Sequence, residues 1–170
     1  MPLEANPNNL IAPSYDQPLG DRQLIFLAGP IQGGPDWQAM AIRALRIFDQ
    51  EVLIANPRGP EPWHGDYKAQ VSWERDHLNH ACKHGVVLFW MASEVHHNPR
   101  RAYAQTTRVE WGRVFERLLH HEARLVIGME TGFSGRKYIV DMIETETPSI
   151  KIHRDLQEAC FAALKILGRT

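Results

Sequence analysis

A doubly wound α/β domain is the fold this chain predicts, and three observations predict it. Short, nearly unbroken apolar runs recur at Leu24–Ala28, 52–55, Val86–Met91 and Leu125–Met129, with a shorter run at 150–153. Runs of this kind suit strands covered on both faces, whereas a half-exposed strand alternates apolar with polar residues. Between them lie stretches with helical periodicity, and strict alternation of strand and helix means right-handed crossovers and a parallel sheet. The expected strand order is 2-1-3-4-5, with helices on both faces.

Taken in order, residues 1–22 hold four prolines and three asparagines without periodicity, which predicts an extended arm that wraps the domain or stays mobile. The remainder, 23–170, reads as one domain, long enough to bury about two thirds of its unfolded surface. After the first strand, Trp37, Met40, Ala41, Ala44, Leu45 and Phe48 make a helical stripe. After the second, a helix beginning near Ser72 aligns Leu78, Ala81 and Cys82. After the third, Trp111, Val114, Phe115 and Leu118 repeat the pattern. Asp155 is placed to cap a last helix whose Leu156, Cys160, Ala163, Leu164 and Leu167 face inward. Ligands of such sheets bind beyond the carboxyl ends of the strands. That rule directs attention to four loops, 29–36, 56–66, 92–107 and 130–137. The third is long for a structureless connection, which favours a functional role.

Composition excludes several classes. A formal charge of −1 argues against bulk attraction to nucleic acids or acidic membranes. No apolar run approaches the roughly 20 residues that span a bilayer. The N-terminus lacks the basic start and apolar core of a signal peptide, so a cytoplasmic location is expected. Cys82 and Cys160 both fall in helical segments beside apolar residues and read as buried free thiols. His77, His80 and His84 share a helical stripe with Trp73, and the last two histidines have metal-ligand spacing. No third ligand is near, so a polar helix face is expected, with neither metal nor cofactor. The 29–34 loop lacks the lysine of a triphosphate-binding loop, and Ser72, Ser93 and Ser134 have no nucleophile-elbow context.

Two carboxylates carry the chemistry. Glu110 follows Thr107 by three residues, so Thr107 as N-cap would make a capping box with it. In the functional reading, Glu110 in the first helical turn is held ionised by the helix dipole, as attack on a sugar carbon requires. Glu74 shares a helix face with Leu78 and Ala81, extending an apolar stripe toward the mouth of the sheet. An acid on a buried face is either bonded to a donor or has its pKa raised, and raised acids make proton donors. Burial therefore assigns the raised pKa of the pair to Glu74, while Asp76 points elsewhere. Trp37, Trp90 and Phe133 near strand ends offer stacking surfaces for a heterocycle, against the plainer reading as core. Arg100, Arg101 and Arg108 bracket the long loop and are candidates to hold a phosphate.

Phe26-Leu27-Ala28-Gly29-Pro30-Ile31 closing the first strand, Asn56-Pro57-Arg58 after the second, and Trp73-Glu74 in the following helix stand in a particular order. Ala102-Tyr103-Ala104-Gln105-Thr106-Thr107-Arg108-Val109-Glu110 and Gly128-Met129-Glu130-Thr131-Gly132-Phe133-Ser134-Gly135 complete it. Over roughly residues 24–143 the chain resembles the nucleoside 2-deoxyribosyltransferase family. The resemblance implies a flavodoxin-like fold with a five-stranded parallel sheet. It also implies a covalent mechanism in which Glu110 attacks C1′ of a nucleoside, expels the base, and yields the glycosyl group to a second base or water. It further implies a homo-oligomer whose sites are completed by a neighbouring subunit, with the 92–107 loop at the interface. The chain departs from the family pattern at Trp111, where Leu or Ile is common, and at His77, which stands where the second acid is expected. Glu74 or Asp76 would substitute, and the helical stripe favours Glu74.

The expected substrate-binding set is Gly29, Pro30, Ile31, Trp37, Asn56, Trp90, Arg101, Tyr103, Thr106, Thr107 and Phe133, around the catalytic pair Glu110 and Glu74. Three functional readings follow. One is a transferase or hydrolase of nucleosides acting through Glu110. Another is an N-glycosidase of nucleoside 5′-monophosphates, with Arg101 or Thr106 and Thr107 on the phosphate. The third is a non-catalytic nucleotide-binding or sensing domain.

Overall fold

The computed structural model describes residues 6–59 and 65–169. The first five residues of the expected arm and the middle of the 56–66 loop lie outside the described residues. In chain order the elements are β1 (Asn9–Ile11), β2 (Leu24–Ala28), α1 (Trp37–Phe48), β3 (Leu53–Asn56), α2 (Tyr67–His84) and β4 (Val86–Met91). They continue with α3 (Gln105–Leu119), β5 (Leu125–Met129), α4 (Arg136–Glu146), β6 (Ile152–His153) and α5 (Leu156–Ile166). All strand pairs are parallel, and the sheet runs β1-β3-β2-β4-β5-β6.

The sheet therefore has six strands, which corrects the five-stranded expectation. The added strand comes from the arm, where Asn9, Leu10 and Ile11 pair with Ile54, Ala55 and Asn56. Three residues with one apolar side chain turned inward give too weak a period to stand out in a proline-rich stretch. Leu10 and Ala12 are buried, so the arm closes the edge of β3 and joins the core. The chain then crosses α2, where the Trp73 indole donates to the Ser14 carbonyl (2.8 Å) and the Tyr15 hydroxyl to Asp76 (2.9 Å).

Alternation along each strand divides the core into two layers. Leu24, Phe26 and Ala28 of β2, with Val87, Phe89 and Met91 of β4, face a layer closed by α2, α3 and α4. Ile25 and Leu27, with Val86, Leu88 and Trp90, face the layer closed by α1 and α5. Coverage on both faces is why these strands read as unbroken apolar runs. Asp155 caps α5 by accepting from the Glu158 amide (2.9 Å), and Leu156, Cys160, Ala163, Leu164 and Leu167 are buried as expected. The first stripe is narrower than its spacing suggests, since Met40 and Phe48 stay exposed at 58% and 55%. The second helix begins five residues before Ser72, because Asp66 caps it by accepting from the Lys68 amide (2.8 Å). His77 lies inside rather than on a polar face. It stacks on Trp73 with ring centroids 3.9 Å apart, and its Nδ1 lies 2.8 Å from the Trp73 carbonyl. Cys82 and Cys160 are free and buried. Among the described residues no helix is long and apolar enough to cross a membrane.

One buried charge ties the edge strand to the domain. Arg46 of α1, fully enclosed, donates from Nε (3.0 Å) and Nη2 (2.7 Å) to the Asn9 side chain. Its Nη1 donates to the carbonyls of Asp49 (3.1 Å) and Val52 (2.9 Å). Burial lowers its pKa to about 10, which leaves it charged at neutral pH. Removing it takes a charged donor away from three acceptors in a low-dielectric setting. Arg46→Met should cost on the order of 3 kcal/mol in denaturant melts and should speed amide hydrogen exchange in β1 more than in β4. Equal effects on the two strands would mean that Arg46 does not anchor the edge.

Candidate functional site

The chain runs from β2 outward to β3 on one side and then returns to β4 on the other, so the strand order reverses at the β2/β4 boundary. Loops leaving such a boundary splay apart and leave a crevice at the carboxyl ends. A cleft of about 270 Å³ opens there, near the lower limit of small-molecule sites. Its walls come from three of the four expected loops and from α2 and α3. The 130–137 loop does not contribute.

The floor is Gly29, Pro30 and Ile31. Gly29 is required by close approach: a Cβ there would lie 2.4 Å from the Trp90 carbonyl oxygen and 2.6 Å from the Trp37 ring. The Arg58 guanidinium holds this loop, donating from Nη2 to the carbonyls of Ile31 and Pro35 (both 3.0 Å) and from Nε to Gln38 (3.0 Å). One wall is α2. Tyr67, Gln70, Val71 and Glu74 fall at i, i+3, i+4 and i+7 and so share one face, continuous with Leu78 and Ala81 below. The other wall is the start of α3, where Thr106, Thr107 and Glu110 line the cleft together with Tyr103 and Ala104.

The helical register of Glu110 differs from the expected one. Ala104 enters α3 in the left-handed region (φ 55), with no side-chain cap, so the helix begins at Gln105. Thr107 is a buried helical residue, not an N-cap, and the capping box does not form. Glu110 lies in the second turn and Glu74 in the third turn of α2, so neither is held by a helix terminus. Glu110 keeps some contact with the cleft but is otherwise surrounded by protein. Burial first, and the Glu74 charge second, push its pKa up to about 8, with Arg113 opposing. Burial also raises Glu74, opposed by a hydrogen bond from Gln70 Nε2 (2.7 Å). The order of ionisation follows. Glu74 loses its proton against a neutral Glu110, and Glu110 must then ionise against the charge on Glu74. The larger shift belongs to Glu110, which corrects its assignment to Glu74.

Of the expected binding residues, Gly29, Pro30, Ile31, Arg101, Tyr103, Thr106 and Thr107 line the cleft with both carboxylates. Tyr103 is buried and donates its hydroxyl to the Ala92 carbonyl (2.8 Å). Trp37, Asn56, Trp90 and Phe133 do not reach it. Trp37 packs under Gly29 and donates to the Pro30 carbonyl (3.0 Å). Trp90 fills the space left by Gly128 and donates to Glu130 (3.3 Å). Phe133 is core beside Tyr103, with ring centroids 6.2 Å apart. Asn56 accepts from the Arg58 amide (3.0 Å) and shapes the loop from behind. Arg108 is turned away, onto the Ser134 carbonyl (3.0 Å) and hydroxyl (2.8 Å). The reading from sequence missed Arg58, Gln70, Tyr67 and Val71. The last three needed only the helix start at Asp66 to fall on the Glu74 face.

Among the described residues no three His, Cys, Asp or Glu side chains are grouped to hold a metal ion. Chemically, the cleft offers two carboxyl groups from opposite walls, of which Glu110 keeps its proton to the higher pH. Such a pair can supply a nucleophile and an acid to one small polar molecule. No protein-family model matches the chain, and no curated protein matches it.

The raised Glu110 pKa makes a stability prediction. Between about pH 4.5 and 8 the native state holds a proton that the unfolded chain has released, so native stability falls as pH rises through that window. Glu110→Gln removes this dependence. The melting temperature of the variant relative to wild type should climb from pH 4.5 to 8 and level off above. A gap that stays constant with pH would place Glu110 in ordinary solvent.

Proposed function

We propose that the protein is a nucleoside 2-deoxyribosyltransferase-like enzyme that cleaves the N-glycosidic bond of a nucleoside or nucleotide through a covalent intermediate on Glu110. The observation that carries this reading is the convergence of Glu110 and Glu74 on one cleft, close enough for one charge to raise the other's pKa. Retaining glycosyl chemistry needs such a pair, one carboxylate to bond the sugar carbon and one acid to protonate the departing group. The order of motifs shared with that family supports the same assignment of Glu110.

In the proposed reaction an ionised Glu110 oxygen attacks C1′ while the C1′–N bond breaks toward the base, which takes its proton from Glu74. Development of positive charge on the sugar is stabilised by the two carboxylates. Water or a second base then attacks C1′ and frees Glu110. Tyr67 and Val71, exposed at the mouth of the cleft, offer apolar contact to a base in place of the buried tryptophans. Arg101 and His96 also line the cleft and favour a second substrate form, the nucleoside 5′-monophosphate. A homo-oligomer completing the site across the 92–107 loop belongs to the same proposal.

Incubation with a panel of nucleosides and their 5′-monophosphates, with and without adenine, tests the reaction by free base and exchanged nucleoside. Wild type should release base, and Glu110→Gln should lose release by about a thousandfold or more. Near-wild-type turnover in Glu110→Gln would remove the nucleophile. Glu74→Gln should slow release of poor leaving bases far more than of activated ones, whereas equal slowing would reduce Glu74 to positioning the sugar. Arg101→Ala should raise KM for monophosphates and leave nucleosides unchanged if the phosphate form is the substrate. Light scattering at working concentration should give more than one chain per particle, and a fully active monomer would exclude a shared site.

A further inference from the structure

Gln70 sits one helical turn before Glu74, and its amide is committed on both sides. Nε2 donates one hydrogen to the Pro57 carbonyl (2.8 Å) and the other to Glu74 Oε1 (2.7 Å). Both partners present lone pairs, so the amide cannot be turned over without setting oxygen against oxygen. Its own oxygen is buried and has no donor among the described residues. The Pro57 carbonyl belongs to the loop that Arg58 fastens to the cleft floor, so the anchor is itself held. No other side chain among the described residues hydrogen-bonds to Glu74.

We propose that Gln70 is a positioning residue for this cleft: pinned to Pro57, it fixes the Glu74 carboxylate in place and favours the charged form there, so that the last proton of the pair stays on Glu110. A donated hydrogen bond favours the charged form of the carboxyl that receives it. Among the described residues no side chain donates to Glu110, and Arg113 opposes its raised pKa by charge. Among the described residues the other ionisable groups facing the cleft are Arg58 after β3 and Glu94, His96 and Arg101 after β4, with the phenols of Tyr67 and Tyr103. None of them is bonded to Glu74.

The use made of this proton rests on the glycosidic reading above. Before attack, the Glu110 O–H bond breaks and a Glu74 O–H bond forms, with no net change in charge. Glu110 then bonds C1′, the electron pair of the C1′–N bond passes to the base nitrogen, and that nitrogen takes the proton from Glu74. The pair starts and ends this half-reaction with one negative charge. The proton that leaves with the base is the one the empty cleft held on Glu110.

NMR titration of the ligand-free protein tests the placement directly. With carbon-13 in the glutamate carboxyls and nitrogen-15 in the glutamine amides, the Glu74 signal and the Gln70 side-chain amide should follow the lower of the two titration steps. Glu110 should follow the upper step. A Gln70 amide that follows the upper step, or does not titrate, would overturn the proposal in wild-type protein alone. Gln70→Met keeps length and removes the donor, so it should raise the lower step by about half a unit to one unit. A curve superimposed on wild type would mean that Gln70 only fills space. Neither measurement uses a substrate. A protein that titrates this way yet releases no base would sink the proposed reaction and leave the role of Gln70 standing.

Discussion

A parallel sheet covered on both faces has its two ends open to loops, and that constraint puts the cleft where it is. Every strand must be followed by a crossover, and the crossovers here leave α1 and α5 on one face and α2, α3 and α4 on the other. At the β2/β4 boundary the chain changes direction across the sheet, so the loops after these two strands diverge. Gly29 ends β2 at that point, packed against the Trp90 backbone and the Trp37 ring with no room for a side chain. The walls are then set by where two helices begin. Asp66 starts α2 early enough to bring four residues to the cleft, and the left-handed turn at Ala104 starts α3 so that Glu110 faces it.

Electrostatics follow from this packing rather than from helix ends. A carboxyl in the second or third turn gains little from the helix dipole, which falls off within the first turn. Burial and mutual repulsion are left to decide, and both hold protons on. The result is a pair in which Glu110 keeps its proton up to about pH 8, with an amide fixed on Glu74 and the Arg113 charge opposing the shift of Glu110. A cleft so arranged is poor at holding two negative charges and well suited to a reaction that moves one proton.

Much of the fold was legible because burial on both faces writes itself as unbroken apolar runs. Four strands and the inward face of α5 could be read from Leu24, Val52, Val86, Leu125 and Leu156 onward. The edge strand could not, since three residues among prolines carry no measurable period. The site was half legible. Glu110, Glu74 and three of the four loop ends came from position in the pattern, and they do meet in one cleft. Trp37, Trp90 and Phe133 misled because an aromatic at a strand end looks the same from sequence whether it roofs a pocket or fills the gap over a glycine. Helix starts were the other weak point. A helix start read near Ser72, where Asp66 caps it six residues earlier, hid Tyr67, Gln70 and Val71. The assumed cap at Thr107 put Glu110 one turn too early, and taking Glu74 as the more buried acid reversed the proton assignment.

The claim on which the rest turns is that Glu110 forms a bond to sugar carbon. A 2′-fluoro-2′-deoxynucleoside tests it, because fluorine beside C1′ destabilises the oxocarbenium-like transition states and lets a glycosyl-enzyme accumulate. Intact-mass measurement after incubation should show the protein heavier by one fluorinated sugar, with release of one equivalent of base. Peptide mapping should place the added mass on Glu110. Base released without added mass, or mass carried by any other residue, would contradict the account.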